Sequence, residues 1–278
     1  MQRETHLLSE LHAARFTGDD PQYALVVSHG IGAHGGIYDI FCEHHAARGA
    51  DIWSYDAPGH GKSTTNRPRG QWTMKEWVQA SRDWSAHVKQ QTGLPVFTLG
   101  SSLGVAAAIS AINSSDVTGA ICMGSPAVPG APMFNEMGEA WRSEPVKQVL
   151  GQLGRAARLD INVFFNFDED YGYAGAGEQK QLDPWNTWSY DLESWASFFQ
   201  YEPEQPPEEN TKPVLYAAGE KDPSFPPDVI KLAASAIGGP VTVNIFEDAG
   251  HQLMLFETAR FSDAVHDFCL SALNGKDA

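Results

Sequence analysis

A chain of 278 residues, 42% of them hydrophobic and 19% charged, is long enough to bury a large core and too apolar for a disordered polymer. With Asp+Glu at 35 against Lys+Arg at 19, the net charge of −16 repels phosphate backbones and argues against nucleic-acid binding. No run approaches the roughly 20 apolar residues of a membrane span. The opening segment mixes Arg3, Glu4, Glu10 and Arg15 with scattered apolar residues instead of a signal-peptide stretch, so a soluble cytoplasmic protein without an integral membrane segment is expected.

In chain order, residues 5–16 read as an antiparallel edge hairpin or strand. Short apolar runs of strand type follow at 23–28, 51–56, 95–99, 120–123, 213–218 and 241–247, alternating with helical stretches at 38–48, 74–91, 103–113, 227–237 and 258–273. Near-continuous hydrophobicity marks strands covered on both faces, and the alternation implies right-handed crossovers. The fold class is therefore α/β, with a mostly parallel sheet flanked by helices.

The alternation stops between about residues 126 and 213, where aromatic residues crowd in, among them Phe164, Phe165, Trp195, Phe198 and Phe199. A structureless loop of that length is improbable in a compact domain, so a mainly helical inserted cap is expected over 126–212 on a core of 1–125 and 213–278. A run of Trp and Phe is more often core than contact, and Asp168, Glu169 and Asp170 read as a solvated loop whose charge would discourage anionic substrates. Cys42, Cys122 and Cys269 are widely spaced and odd in number, which points to buried reduced thiols rather than a disulfide framework or a zinc site.

Gly100-Ser101-Ser102-Leu103-Gly104 follows the run at 95–99 and precedes an Ala-rich helix. As a bare pattern it fits an ordinary Gly/Ser turn, but strand–turn–helix is the context in which G-x-S-x-G presents a nucleophile. Ser102 is the candidate, because it alone has glycine at both second neighbours; Ser101 is the adjacent alternative. Gly100 and Gly104 would allow strand and helix to pass closely, and the turn would aim the Leu103 N–H at a developing oxyanion.

A serine hydroxyl needs a base held by an acid. His251 follows the run at 241–247 and Asp222 follows that at 213–218, giving the chain order serine, acid, histidine at one sheet edge. Glu220 and Asp248 are rival acids. After the run at 23–28 comes His29-Gly30-Ile31-Gly32-Ala33-His34-Gly35, in which His29 and Gly30 support the loop and the Ile31 N–H is the second oxyanion donor. His29 with His34, or His44-His45 with Glu43, raises the thought of a metal, but no H-E-x-x-H face exists and a serine mechanism needs neither metal nor cofactor.

Together with Asp56-Ala57-Pro58-Gly59-His60-Gly61-Lys62-Ser63 and Tyr38, these motifs resemble the α/β-hydrolase superfamily, and within it the monoacylglycerol lipase and lysophospholipase-like branch of the serine aminopeptidase S33 grouping. The resemblance covers about 20–125 and 213–270, and departs at Ala33, where branch members usually carry Glu. It implies an eight-stranded, mostly parallel sheet and acyl transfer to water by Ser102, His251 and Asp222, with a small to medium uncharged ester such as a monoacylglycerol as substrate. Lactones, thioesters, amides and carbon–carbon bonds are cleaved on the same architecture. A ligand-binding receptor that keeps the fold is the competing class, and a complete set of acid, base, nucleophile and donor loops argues against it.

Overall fold

A computed structural model describes residues 2–275; residues 1 and 276–278 of the expected core lie outside them. Ten strands alternate with eleven α-helices among the described residues. The strands are β1 (Gln2–Leu8), β2 (Leu11–Thr17), β3 (Tyr23–Ser28), β4 (Ala50–Tyr55), β5 (Val96–Ser101), β6 (Val117–Met123), β7 (Arg158–Asp160), β8 (Ser189–Asp191), β9 (Val214–Gly219) and β10 (Val241–Phe246). Eight of them form one sheet in the order β1-β2-β4-β3-β5-β6-β9-β10. From β4 to β10 all neighbours are parallel, and the β1–β2 hairpin closes one edge antiparallel to β4. The hairpin expected from residues 5–16 is thus present, and its two-residue turn is tight because Ser9 adopts φ 56°.

Around the sheet lie α1 (Asp39–Ala46), α2 (Met74–Thr92), α3 (Gly104–Ser110), α9 (Pro227–Ser235), α10 (Leu253–Phe256) and α11 (Thr258–Leu273); between β6 and β9 come α4 (Pro132–Met137), α5 (Glu144–Leu153), α6 (Phe167–Tyr171), α7 (Ala176–Gln181) and α8 (Leu192–Phe199). Successive strand residues divide between two cores, as a two-residue side-chain period demands. Ala24 and Val26 of β3 face a cluster with Trp77 and Val78 of α2 and Ala106 of α3. Tyr23, Leu25 and Val27 face the opposite one, with Phe41 of α1 and Phe261 and Val265 of α11. Strands buried on both faces are why the sequence runs are apolar without alternation.

Local chemistry sets the helix ends. Thr73 accepts the Glu76 N–H at 3.2 Å and donates its hydroxyl to the Glu76 carboxylate at 2.9 Å, a capping box that starts α2. Gly93, at φ 70°, ends the same helix where a Cβ would be strained.

The segment between β6 and β9 is mainly helical, with one addition to the sequence reading: β7 and β8 pair as a three-residue antiparallel ribbon, too short to leave a pattern of alternation. This insert is hydrogen-bonded to the core loops. The Tyr190 hydroxyl accepts the Gly32 N–H at 2.8 Å and meets His60 Nε2 at 2.7 Å. Because His60 Nδ1 donates to the Pro58 carbonyl at 3.0 Å, its Nε2 is the acceptor and Tyr190 the donor. Burial holds the His60 imidazole neutral, down to about 3. Tyr190→Phe leaves both partners buried and unpaired, so a destabilisation of about 1–3 kcal/mol is expected in urea unfolding followed by circular dichroism.

Candidate active site

The sheet order reverses around β3: β4 lies on one side and β5 on the other, so the loops leaving the carboxyl ends of β3 and β5 diverge and open a crevice between them. Ser102 sits at the end of β5 with φ 51°, a conformation in which non-glycine residues are strained. Its N–H donates to the Met123 carbonyl at 2.8 Å, which pins the turn against β6. The flanking glycines are dictated by sterics. A Cβ on Gly100 would lie 2.4 Å from the Gly104 carbonyl oxygen, and one on Gly104 would lie 2.4 Å from that of His29. Ser101, by contrast, is fully buried and accepts a hydrogen bond from the Tyr38 hydroxyl at 2.8 Å, whereas Ser102 opens to a cavity.

Gly30 leads the β3 loop past this turn, its missing Cβ only 3.1 Å from the Ser102 Cβ. His29 Nε2 accepts the Ala57 N–H at 3.1 Å, so Nδ1 carries the proton and donates to the Gly30 carbonyl at 2.8 Å. Burial keeps this ring neutral, well below the ordinary histidine value. Its part is to brace the loop. The Ile31 and Leu103 amides donate no hydrogen bond among the described residues; Leu103 follows Ser102 in the chain, and Ile31 follows the Gly30 that packs on it, both residues being buried.

Behind β9 and β10 the structure brings the acid and the imidazole together. Asp222 Oδ2 meets His251 Nδ1 at 2.7 Å, both side chains buried, while Asp222 Oδ1 accepts the N–H groups of Ser224 and Phe225 at 2.9 Å each. The approach is forced by Gly219 at the end of β9, where a Cβ would lie 2.2 Å from the Gly250 carbonyl oxygen. His251 packs on Gly124, which follows the Met123 that holds Ser102: a Cβ at Gly124 would stand 3.3 Å from the imidazole Cε1 and Nδ1. Among the described residues no hydrogen bond joins Ser102 to His251. Burial opposes an imidazolium at His251, but the hydrogen bond and charge of Asp222, with the charge of Asp170, outweigh it and raise its pKa. The rival acids lie elsewhere: Asp248 pairs with Lys221 at the surface, and Glu220 accepts the Asp248 N–H at 3.0 Å.

Ser102 and Leu103 lie in the wall of a cavity of about 510 Å³ whose opposite wall is the insert, with Phe164, Phe165, Trp195, Phe198 and Phe199. Other insert aromatics, such as Phe134 and Phe167, are core, so the aromatic stretch divides between packing and pocket. One sequence reading is corrected. The acidic run at 168–170 is not a loop: it lies in α6, where Glu169 is exposed as expected, Asp168 accepts the Gly175 and Gly177 N–H groups, and Asp170 is buried at 6% exposure in the cavity wall. The signal was there in the pattern, since Asp170 stands three residues after Phe167, one helical turn on along the same face. Tyr190 and Ser224 were equally unmarked.

Among the described residues no three His, Cys, Asp or Glu side chains gather as a metal would require. His45 Nδ1 meets the Ser262 hydroxyl at 2.7 Å and Nε2 the Tyr23 hydroxyl at 2.9 Å, and His34 Nε2 binds Asp183 at 2.7 Å. The three cysteines are buried and unbridged.

An eight-stranded, mostly parallel sheet with a sharp serine-bearing elbow after its central strand defines the α/β-hydrolase class. The family model described as serine aminopeptidase, S33, matches residues 19–259, and the chain belongs to that family. It is 31% identical over 113 residues to a monoglyceride lipase homolog of Monkeypox virus, which is 39% of this chain and 40% of the viral protein. It is 34% identical over 93 residues to the monoglyceride lipase of Homo sapiens, 32% of this chain and 29% of the human one. The chain thus aligns with less than half the length of each of these curated relatives. Over 94% of this chain and 99% of the other, its fold matches the Paleococcus ferrophilus monoacylglycerol lipase with a TM-score of 0.69 at 20% identity. The chain is thus an α/β-hydrolase of the S33 family, with monoglyceride lipases among the proteins it is similar to. Among the described residues no helix is long and apolar enough to cross a membrane.

Gly104→Ala tests the steric basis of the elbow. Because its Cβ would meet backbone carbonyls of Ser28 and His29 at 2.5 and 2.4 Å, neither of which is a side chain free to turn away, the substitution is expected to be severe. A loss of about 3 kcal/mol in urea unfolding is expected. Wild-type stability would show that the elbow can relax.

Proposed function

We propose that this protein is a serine hydrolase that cleaves carboxylic esters through Ser102, His251 and Asp222. One arrangement carries the reading: a serine held at positive φ in the wall of an aromatic-lined cavity, with a buried His251–Asp222 pair packed against the strand end that fixes it. In acylation Ser102 Oγ attacks the ester carbonyl carbon while His251 Nε2 takes the hydroxyl proton; Nδ1–H stays bonded to Asp222. The carbonyl oxygen becomes an oxyanion, which receives the N–H groups of Ile31 and Leu103. Collapse breaks the ester C–O bond and the alcohol leaves with the proton from His251. Water then attacks the acyl-enzyme by the same route, releasing the acid and restoring Ser102. Side chains, backbone amides and water supply every step.

The insert, residues 126–212, acts in this reading as a substrate-selecting cap on a core of 1–125 and 213–278. Its aromatic wall favours an apolar acyl chain, and a cavity of about 510 Å³ falls in the size range of small-molecule sites. Glu169 and Asp170 in that wall disfavour an anionic substrate. With monoglyceride lipases among the relatives, an uncharged ester of the monoacylglycerol type fits best.

Ser102→Ala is expected to reduce hydrolysis of short p-nitrophenyl esters and of monoacylglycerols by about 10⁴-fold or more while leaving the fold intact. Turnover retained by this variant would overturn the assignment. The pH profile follows from the sign of the His251 shift: the base works only when neutral, and its pKa is raised. Plotted against pH, kcat/KM should therefore fall on the acid side with a midpoint above the ordinary histidine value of about 6.5. Asp222→Asn removes the main support of the imidazolium, and an acid limb at an unchanged pH would contradict its role.

A further inference from the structure

We infer that Asp170 is a positioning residue for this site: through Ser224 it ties the insert to the Asp222 loop and places a second carboxylate where His251 becomes positive during acylation. The inference rests on the triad reading above and adds to it a residue from outside the core.

The geometry is a continuous relay. Asp170 Oδ1 accepts the Ser224 hydroxyl at 2.5 Å. The Ser224 N–H donates to Asp222 Oδ1 at 2.9 Å, and Asp222 Oδ2 holds His251 Nδ1 at 2.7 Å. The helix that carries Asp170 is docked on the other side as well. Its Tyr171 ring packs edge-on against Phe256 of α10, the helix that follows the His251 loop, at 6.0 Å between centroids. α6 therefore bridges the two loops that present the acid and the base.

A buried carboxylate is costly unless paired or hydrogen-bonded, and one hydroxyl is modest compensation. Burial pushes the Asp170 carboxyl up; His251 and the Ser224 hydroxyl oppose that, while Asp222 and Glu169 add to it. Asp222 from the β9 loop and Asp170 from α6 are the charged groups that bear on His251. A second carboxylate, linked through Ser224 to the one that holds the imidazole, favours the charged form of the ring, the species that exists between proton transfer from Ser102 and departure of the alcohol. Acylation should therefore slow when the second charge is removed even though the relay hydrogen bond survives.

Asp170→Asn makes that separation, since the amide oxygen still accepts from Ser224. The measurement is an NMR titration of the His251 ring, with pH profiles of kcat and KM for a neutral ester alongside. The midpoint of the ring and the acid limb of kcat/KM should both move down by about half to one pH unit. kcat should fall by about threefold to tenfold with KM within about twofold, and Asp170→Glu should restore part of both. Ser224→Ala removes the hydroxyl that helps keep the buried Asp170 carboxyl ionised, so it should weaken the second charge and move the midpoint in the same direction, which covers the case of an unfolded Asp170 variant. A His251 titration that stays put in folded Asp170→Asn, or a loss confined to KM, overturns the inference. Because the ring is observed without turnover, that failure is distinct from one in which Ser102→Ala stays active.

Discussion

A close approach of α3 to the strands beneath it sets the geometry that the rest of the site inherits. The chain leaves β5, turns at Ser102 and enters α3 so tightly that Cβ atoms at 100 and 104 would overlap backbone. Val105, Ala106, Ala107 and Ala108 are buried in consequence, and only small side chains let the helix settle so near the sheet. That settling carries the amino end of α3 against the loop after β3. The strained Ser102 and the Leu103 amide, which donates no hydrogen bond among the described residues, thus share the cavity wall as a result of packing, with Gly30, the residue before Ile31, packed on the Ser102 Cβ.

A second constraint operates two strands away. The loop after β10 crosses the end of β9 so closely that Gly219 admits no side chain, and the crossing delivers His251 onto Asp222. β6 lies between the two arrangements. It accepts the Ser102 N–H through Met123 and receives the His251 ring on Gly124, so one strand end sets both halves of the site. A parallel sheet makes this possible because every carboxyl end points the same way.

The core of this arrangement was legible because its causes are local. Apolar runs without alternation identified strands covered on both faces, and the glycine spacing around Ser102 identified a close crossing. Asp222 stood out from Glu220 by its distance past the strand and from Asp248 because the latter is only three residues from His251; the pairing itself became visible in three dimensions, where the rivals turn to each other and to Lys221. What the sequence hid was long-range and polar. Tyr190 lies 130 residues from the His60 it binds, and its hydroxyl leaves no periodic trace. Asp170 was masked by its own neighbours, since Asp168 and Glu169 make the run look solvated, although burial of the α6 face was implied by Phe167 and Tyr171. A ribbon of three residues, such as β7 with β8, is below the length at which a pattern exists.

The insert is attached to the core at the same loops that form the site. Thr187 donates to the Gly32 carbonyl at 3.0 Å, Tyr190 accepts from the Gly32 amide, His34 binds Asp183, and Ser224 binds Asp170. Gly32 itself, at φ 63°, admits no Cβ against Ile161 of the insert. The loop that carries the Ile31 amide and the loop that carries Asp222 are therefore each positioned from two sides, by the sheet below and the insert above. A hydrophobic cap could select substrates without such bonds; a wall built of Phe and Trp needs only to be packed. Polar attachments to Gly32 and Ser224 instead make the placement of the Ile31 amide and of Asp222 depend on the insert's own fold. In the proposed mechanism, changes in the aromatic wall that shift α6 or β8 would reach the proton affinity of His251 and the Ile31 amide as well as the fit of the acyl chain, coupling specificity and reactivity through one element.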